Sequence, residues 1–288
     1  CGLALAATWN EKLAYEYGQS LGRDCRARGI HIILGPAVNI HRAPMCGRNF
    51  EYMGEDPYLT ARTTVGYIKG VQSQKVMATV KHFLANNSDY DRARISNDID
   101  ERTAHEIYFP AFKAAVQEAE VGAVMTSYNL VNGIYTNENP WLLKDVLRKT
   151  WGFNGMVVSD WSAAQYSIPT CNAGMDLEMP GAEKNKPQEI AYYLRTGYVT
   201  MDTINERIRH ILRVIIGFGF LDAQQQDKNI PLDNPASVET ALKVANEAIV
   251  LLKNEKNILP VNPKKYKKIA VVGKNANGYV CGGGSGSV

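Results

Sequence analysis

Gly155-Met156-Val157-Val158-Ser159-Asp160-Trp161 (GMVVSDW) is an apolar run, short enough for a single strand, that ends on a carboxylate and an indole. Continuous apolar runs of this length belong to strands covered on both faces, as in a parallel sheet between layers of helix. Two further runs end in the same way. Val76 to Val80 is followed by Lys81-His82, and Gly122 to Thr126 by Ser127-Tyr128. In a TIM-type (β/α) barrel such carboxyl-terminal residues converge on one mouth, whereas an open sheet gathers its ligands at a single crevice. The same pattern on three strands favours the barrel.

Between these runs the spacing is helical. Asn10 stands as a cap before Leu13, Tyr17 and Leu21, with Gly29 where a left-handed residue closes a helix, and His31 to Val38 then reads as a strand. Asp56 and Pro57 open a second helix with a stripe of Tyr58, Ala61, Val65 and Ile68. A third helix runs from near Asp100 toward Ala119 with a kink expected at Pro110, and Asn139-Pro140 opens a fourth. Met175 to Met179 is a further short strand candidate. This alternation predicts an α/β protein of βαβ units. From about Asp222 the character changes: Ala223 to Pro235 reads as a linker, Ser237 to Leu252 as a helix, and Lys268 to Gly273 (KIAVVG) as a strand. The expected division is a barrel domain over 1–222, a linker and helix over 223–265, and the start of a second α/β sandwich domain over 266–288. An opening at Cys1 without Met and a glycine-rich close from Gly282 to Val288 predict a fragment whose barrel is incomplete at its N-terminus.

Composition removes several classes. The 288 residues can bury a sizeable core, and 32 Lys+Arg against 29 Asp+Glu leave a net charge of +3. Nucleic-acid binding needs clustered positive charge, and the only dense run is Lys264, Lys265, Lys267 and Lys268. No stretch approaches the ~18 apolar residues of a membrane span. The five cysteines have neither C-x-x-C nor zinc spacing and read mostly as free thiols. His31, His41, His105 and His210 form no metal motif, so each reads as structural, and no metal or other cofactor is expected. Gly273 and Gly278 have phosphate-loop spacing, but Tyr279 stands where Lys is needed, and Ser287 breaks the dinucleotide pattern that starts at Gly282.

The residues that remain carry chemistry with more than one reading. Asp160 at a strand end can be a nucleophile, a general base, a metal ligand or a turn cap. Tyr128 and Trp161 can offer a hydroxyl or a ring face, or simply pack at the rim. Lys81-His82 can supply a Schiff-base lysine, two donors to a substrate, or an internal ion pair. Successive strand side chains point to opposite faces, so both reach one ligand only if the strand ends there. Arg48 can clamp a substrate oxygen or pair with Glu51 or Glu55, and the ion pair is the plainer reading.

Taken in order, LALAATWN (Leu3 to Asn10), GRNFEYMGEDP (Gly47 to Pro57), VKHFLANN (Val80 to Asn87), DERT (Asp100 to Thr103), MTSYNLVNG (Met125 to Gly133), GFNGMVVSDW (Gly152 to Trp161) and AGMDLEMPG (Ala173 to Gly181) resemble glycoside hydrolase family 3, which includes β-glucosidases and β-xylosidases. IVLLKNEKNILP (Ile249 to Pro260) and the closing GGGSGS are similar to the join into that family's second domain. The resemblance implies a retaining, exo-acting β-glycosidase that releases a terminal β-D-glucosyl residue from a β-glucoside or oligosaccharide. It makes Asp160 the nucleophile and places Arg48, Lys81, His82 and Tyr128 on the sugar. Trp161 and Met125 line the pocket, with Arg92 and Ser285 as weaker candidates.

The acid/base implied is a Glu beyond residue 288, since Glu178 and Glu55 do not stand at its motif position. SAAQYSIPTCN after Trp161 departs from the family pattern, and KHFLANN lacks the KHFPGHG form of the N-acetylglucosaminidase branch. A periplasmic or secreted setting is implied. The rivals are a β-xylosidase of the same family, an inactive sugar-binding fragment, and a lyase that uses Lys81 as a Schiff base.

Overall fold

Asn10 opens a helix as its position predicts in the computed structural model, which describes residues 1–278. After a short helix α1 (Gly2–Ala7), its side chain accepts the Leu13 N–H at 3.0 Å and begins α2 (Glu11–Arg28), which Gly29 ends at φ 74°. A Cβ is strained in that left-handed region, which is why glycine serves there. β1 (Ile32–Ile33) follows. Asp56 repeats the capping device for α3 (Pro57–Gln72), accepting the Leu59 N–H at 2.6 Å, with Pro57 in the first turn where an N–H has no partner.

Next come β2 (Met77–Phe83), β3 (Ser96–Asn97) and α4 (Glu101–Thr103), which passes through a π-helical turn (Ala104–Tyr108) into α5 (Pro110–Gln117). The irregularity expected at Pro110 takes this form, because proline cannot supply the N–H that a continuous α-helix needs there. β4 (Ala123–Thr126), β5 (Leu130–Val131), β6 (Ile134–Tyr135), a π-helix (Trp141–Thr150) and β7 (Met156–Val158) follow. The first unit closes with α6 (Ser167–Ala173), α7 (Pro187–Thr196), α8 (Met201–Gly217) and α9 (Pro235–Glu247).

The main sheet is parallel, in the order β1-β2-β4-β7, with Ile32 beside Met77, Thr79 beside Ala123, and Ala123 beside Met156. β3, β5 and β6 form a separate small sheet. Val158 bridges Leu177 in parallel, so the Met175 to Met179 run takes the next place in line. Each strand thus lies beside its predecessor with helices between, the wall order of a TIM-type barrel rather than the reversed order of a doubly wound sheet.

The strand residues divide by parity, as a pleat requires. Ala78, Val80, Val124 and Val157 pack outward with α2, α3 and α5, while Met77, Ala123 and Met156 gather with Ile32 and Leu177 on the other face. The outer layer is tight. A Cβ on Gly70 would collide with the Tyr15 carbonyl, and one on Gly18 with that of Tyr67, so glycines allow α2 and α3 to cross at close range.

The chain forms two compact units, Cys1–Ala248 and Ile249–Val288. Ala223 to Pro235 lacks regular structure, as a linker does, yet the Gln225 amide donates to the carbonyls of Ile30 (2.9 Å) and Lys75 (3.1 Å). The helix expected over Ser237 to Leu252 is α9, capped by Asn234 and finished five residues earlier than the pattern suggests. Lys268 to Gly273 does not form the expected strand, and Val272 is 89% exposed. A strand exists only by pairing, and the described residues of the second unit contain no other strand.

Candidate active site

The loops and strand ends of the first unit bring Arg48, Lys81, His82, Tyr128 and Asp160 together. Asp160 follows β7 by two residues and is 7% exposed. Its Oδ1 accepts the Trp161 N–H at 2.7 Å. Its Oδ2 lies 3.5 Å from His82 Nε2 and 3.9 Å from Arg48 Nη1, is buried, and meets no hydrogen-bond partner among the described residues. Burial pushes the Asp160 carboxyl above its ordinary range, while the Trp161 N–H and the Arg48 and Lys81 charges pull the other way. The Tyr128 hydroxyl faces this carboxylate. Burial and the Asp160 charge push its phenol up to about 12.

The end of β2 supplies two consecutive residues to this group. The register against β4 shifts between Val80 and Phe83, an irregularity of the kind that re-aims side chains. Phe83 anchors the strand from outside, packing on Phe112 and Trp151 with ring centroids 5.1 and 5.8 Å apart. Lys81 Nζ lies 3.4 Å from Glu51 Oε2, and the other oxygen of Glu51 accepts from Arg48 Nε. Arg48 Nη2 is 2.8 Å from His82 Nε2. One edge of the Arg48 guanidinium thus holds Glu51, the ion pair of the plainer reading, and the other reaches His82 and Asp160.

Arg92 stacks on the Tyr128 ring, 4.4 Å from its centroid, and pairs with Asp89 at 2.9 Å. Trp161 is 38% exposed at the rim, whereas Met125 is fully buried in β4 beside Val158. Ser285 lies outside the described residues. Glu178 is buried with both oxygens occupied, by the N–H groups of Lys184 and Asn185 and the Asn185 side chain, each at 2.8 Å.

Two residues join the site that the motif reading left out of it. Glu51 was visible as a partner for Arg48, but nothing in the spacing showed that Lys81 shares it. Asn39, which the chain carries in the segment beside the end of β2, is buried and bonded to His82 through both its amide atoms. The free cysteines Cys25, Cys46 and Cys171 are buried, and Cys1 is exposed.

A family model described as the glycosyl hydrolase family 3 N terminal domain matches residues 2–214, and one described as the family 3 C-terminal domain matches residues 249–288. A β-glucosidase of Rhizobium radiobacter is 45% identical over 287 residues, covering 99% of this chain and 35% of that protein. Thermostable β-glucosidase B of Acetivibrio thermocellus is 42% identical over 269 residues, 93% of this chain and 35% of its own length. Among solved structures, β-glucosidase 3B of Thermotoga neapolitana in complex with α-D-glucose superposes with a TM-score of 0.87 at 38% identity, over 91% of this chain and 37% of that one. The chain thus spans little more than a third of the length of these relatives.

Proposed function

The chain belongs to glycosyl hydrolase family 3, and from that premise we propose that it carries the nucleophile half of a retaining, exo-acting β-glucosidase site. The observation that supports this most is the unpartnered Oδ2 of Asp160, a buried carboxylate oxygen left free beside Arg48 and His82. Buried polar atoms are almost always satisfied, so an orphan in a ring of cations is one reserved for a ligand. Asp160 attacks the anomeric carbon, and the cations around it keep the attacking oxygen anionic against the desolvation that favours its protonated form. Lys81, Arg48, Tyr128 and the face of Trp161 meet the hydroxyls and apolar face of the sugar, with Arg92 setting the Tyr128 ring.

Retaining hydrolysis needs a second carboxyl group about 5 Å from the first. Glu51 is unsuited to donate a proton, because Arg48 and Lys81 engage its two oxygens, and Glu178 is locked in its loop. The reading therefore assigns the acid/base to a Glu outside these 288 residues. It also takes residues 1–222 as the barrel domain and 266–288 as the start of a second domain.

A 2-deoxy-2-fluoro glucoside with a dinitrophenyl leaving group tests the nucleophile, because that leaving group needs little acid assistance. Intact-mass spectrometry is expected to show one glycosyl adduct, absent in Asp160→Asn. An adduct that persists in Asp160→Asn, or none on the folded wild-type chain, overturns the reading.

A further inference from the structure

The protonation of the His82 ring can be read from its neighbours. Asn39 Nδ2 donates to the His82 carbonyl at 2.9 Å, and its Oδ1 accepts the His82 N–H at 3.0 Å, so the amide can be turned only one way. The same Oδ1 stands 3.3 Å from His82 Nδ1. An oxygen there requires Nδ1 to carry the proton. On the opposite edge, Arg48 Nη2 lies 2.8 Å from Nε2, and a guanidinium only donates, so Nε2 must present a lone pair. The Tyr52 hydroxyl, 3.5 Å from Nδ1, donates to the Asn86 carbonyl at 3.2 Å and accepts from Asn86 Nδ2 at 2.9 Å, leaving it no proton for the ring.

We propose that Asn39 is a positioning residue of the glycosidase site: by bonding the backbone and Nδ1 of His82 it locks the ring as the neutral Nδ1–H tautomer, which keeps a proton away from Asp160 Oδ2. This rests on the reading of Asp160 as nucleophile. With a proton on Nε2, His82 would oppose Arg48 and donate to Asp160, 3.5 Å away, occupying the oxygen that must attack. His82 therefore enters the site as an acceptor, not as the sugar-binding donor that the motif alone suggests. The charged and titratable groups around the ring are Arg48, Lys81 and Arg92, which oppose a second proton together with burial, and Asp160 and Tyr52. Asn39 adds an acceptor without adding a negative charge, so it fixes the tautomer without inviting an imidazolium. That distinction separates it from an aspartate at the same place.

Nitrogen-15 NMR of histidine-labelled 288-residue chain, with the His82 signals assigned by their loss in His82→Gln, tests the tautomer directly. The wild type is expected to show Nδ1 protonated and Nε2 bare across pH 5.5 to 8, and an Nε2–H or imidazolium form in that range overturns the proposal. In Asn39→Ala the Nε2–H form is expected to appear, with glycosylation by the fluoro-glucoside slowed about tenfold or more. A ring that stays wholly Nδ1–H in that variant shows that Arg48 suffices, and the proposal falls. Asn39→Asp is expected to let His82 gain a proton as pH falls, adding an acidic limb of about tenfold per pH unit to the labelling rate where His82 titrates. A titrating His82 with no such limb also overturns it. Failure of the wild type to take any label counts against Asp160 as nucleophile, while the tautomer measurement stands independently of it.

Discussion

Two aspartates lie buried against β7 and beyond its end and are treated in opposite ways. Asp176, 4% exposed, stands beside Val157 in the middle of the strand. Its Oδ2 accepts from Arg148 Nη2 and the Val157 N–H, both at 2.7 Å, and its Oδ1 meets His210 Nδ1 at 2.8 Å. Asp160, beyond the strand's end, is nearly as buried, yet one oxygen has no partner. A buried carboxylate without its bonds forfeits stability that the fold supplies in full to Asp176. The same strand therefore separates a residue bonded into the fold from one that the proposed function holds ready for a ligand, and the unpaired oxygen rather than the burial tells them apart.

Exchange of the two carboxylates for other groups is the sharpest way to break this contrast. Asp160→Asn is expected to cut fluoro-glucoside labelling by about 10³-fold or more, equivalent to about 4 kcal/mol or more of transition-state stabilisation, with the far-UV spectrum unchanged. Asp176→Ala is expected to act on the fold, lowering unfolding free energy by about 3–5 kcal/mol in urea titrations, because it strands Arg148 without its carboxylate. Retained stability in Asp176→Ala, or a collapse of folding in Asp160→Asn, would erase the distinction. Glu51→Gln falls between them. It removes the charge shared by Arg48 and Lys81, and labelling is expected to slow roughly tenfold with stability changed by less than ~1 kcal/mol. An unchanged rate would mean that Arg48 reaches Asp160 without Glu51 to hold it.

The contrast also marks what a sequence can reveal. Asn10, Gly29 and Asp56 act through groups within a few residues of themselves, so their caps are readable from spacing. The strand-end pattern of Lys81-His82, Ser127-Tyr128 and Asp160-Trp161 points to the barrel because each of these three strands writes it locally. α6, α7 and α8 were equally open to reading, with Pro187 in a first turn and Ile204, Ile208, Ile211 and Ile215 at helical spacing, yet the strand pattern did not depend on them. Lys268 to Gly273 failed as a strand because pairing is not a local property. Asp176 and Asp160 look alike as sequence, each placed by a short apolar strand. His210 and Arg148, 34 and 28 residues from Asp176 in the chain, decide its role only once the chain folds. Asn39 is hidden for the same reason, since 43 residues separate it from His82.

The smallest effect tests the energetic side of the contrast. Burial raises the Asp160 carboxyl above its ordinary value of 3.8, so the folded chain favours its protonated form more than the unfolded chain does. Below pH 3.8 the group is neutral in both states and costs nothing. As pH climbs through the raised folded value, ionisation draws the balance toward the unfolded chain. Asparagine resembles the protonated form at every pH. Asp160→Asn is therefore expected to unfold at higher urea than the wild type at pH 7, by about 1 kcal/mol, and the two curves should converge as pH approaches 3.8 and below. A less stable variant at pH 7 would mean that Arg48 and Lys81 attract the carboxylate more strongly than burial opposes it, making Asp160 a structural ion pair like Asp176 and removing the ground for treating its free oxygen as reserved.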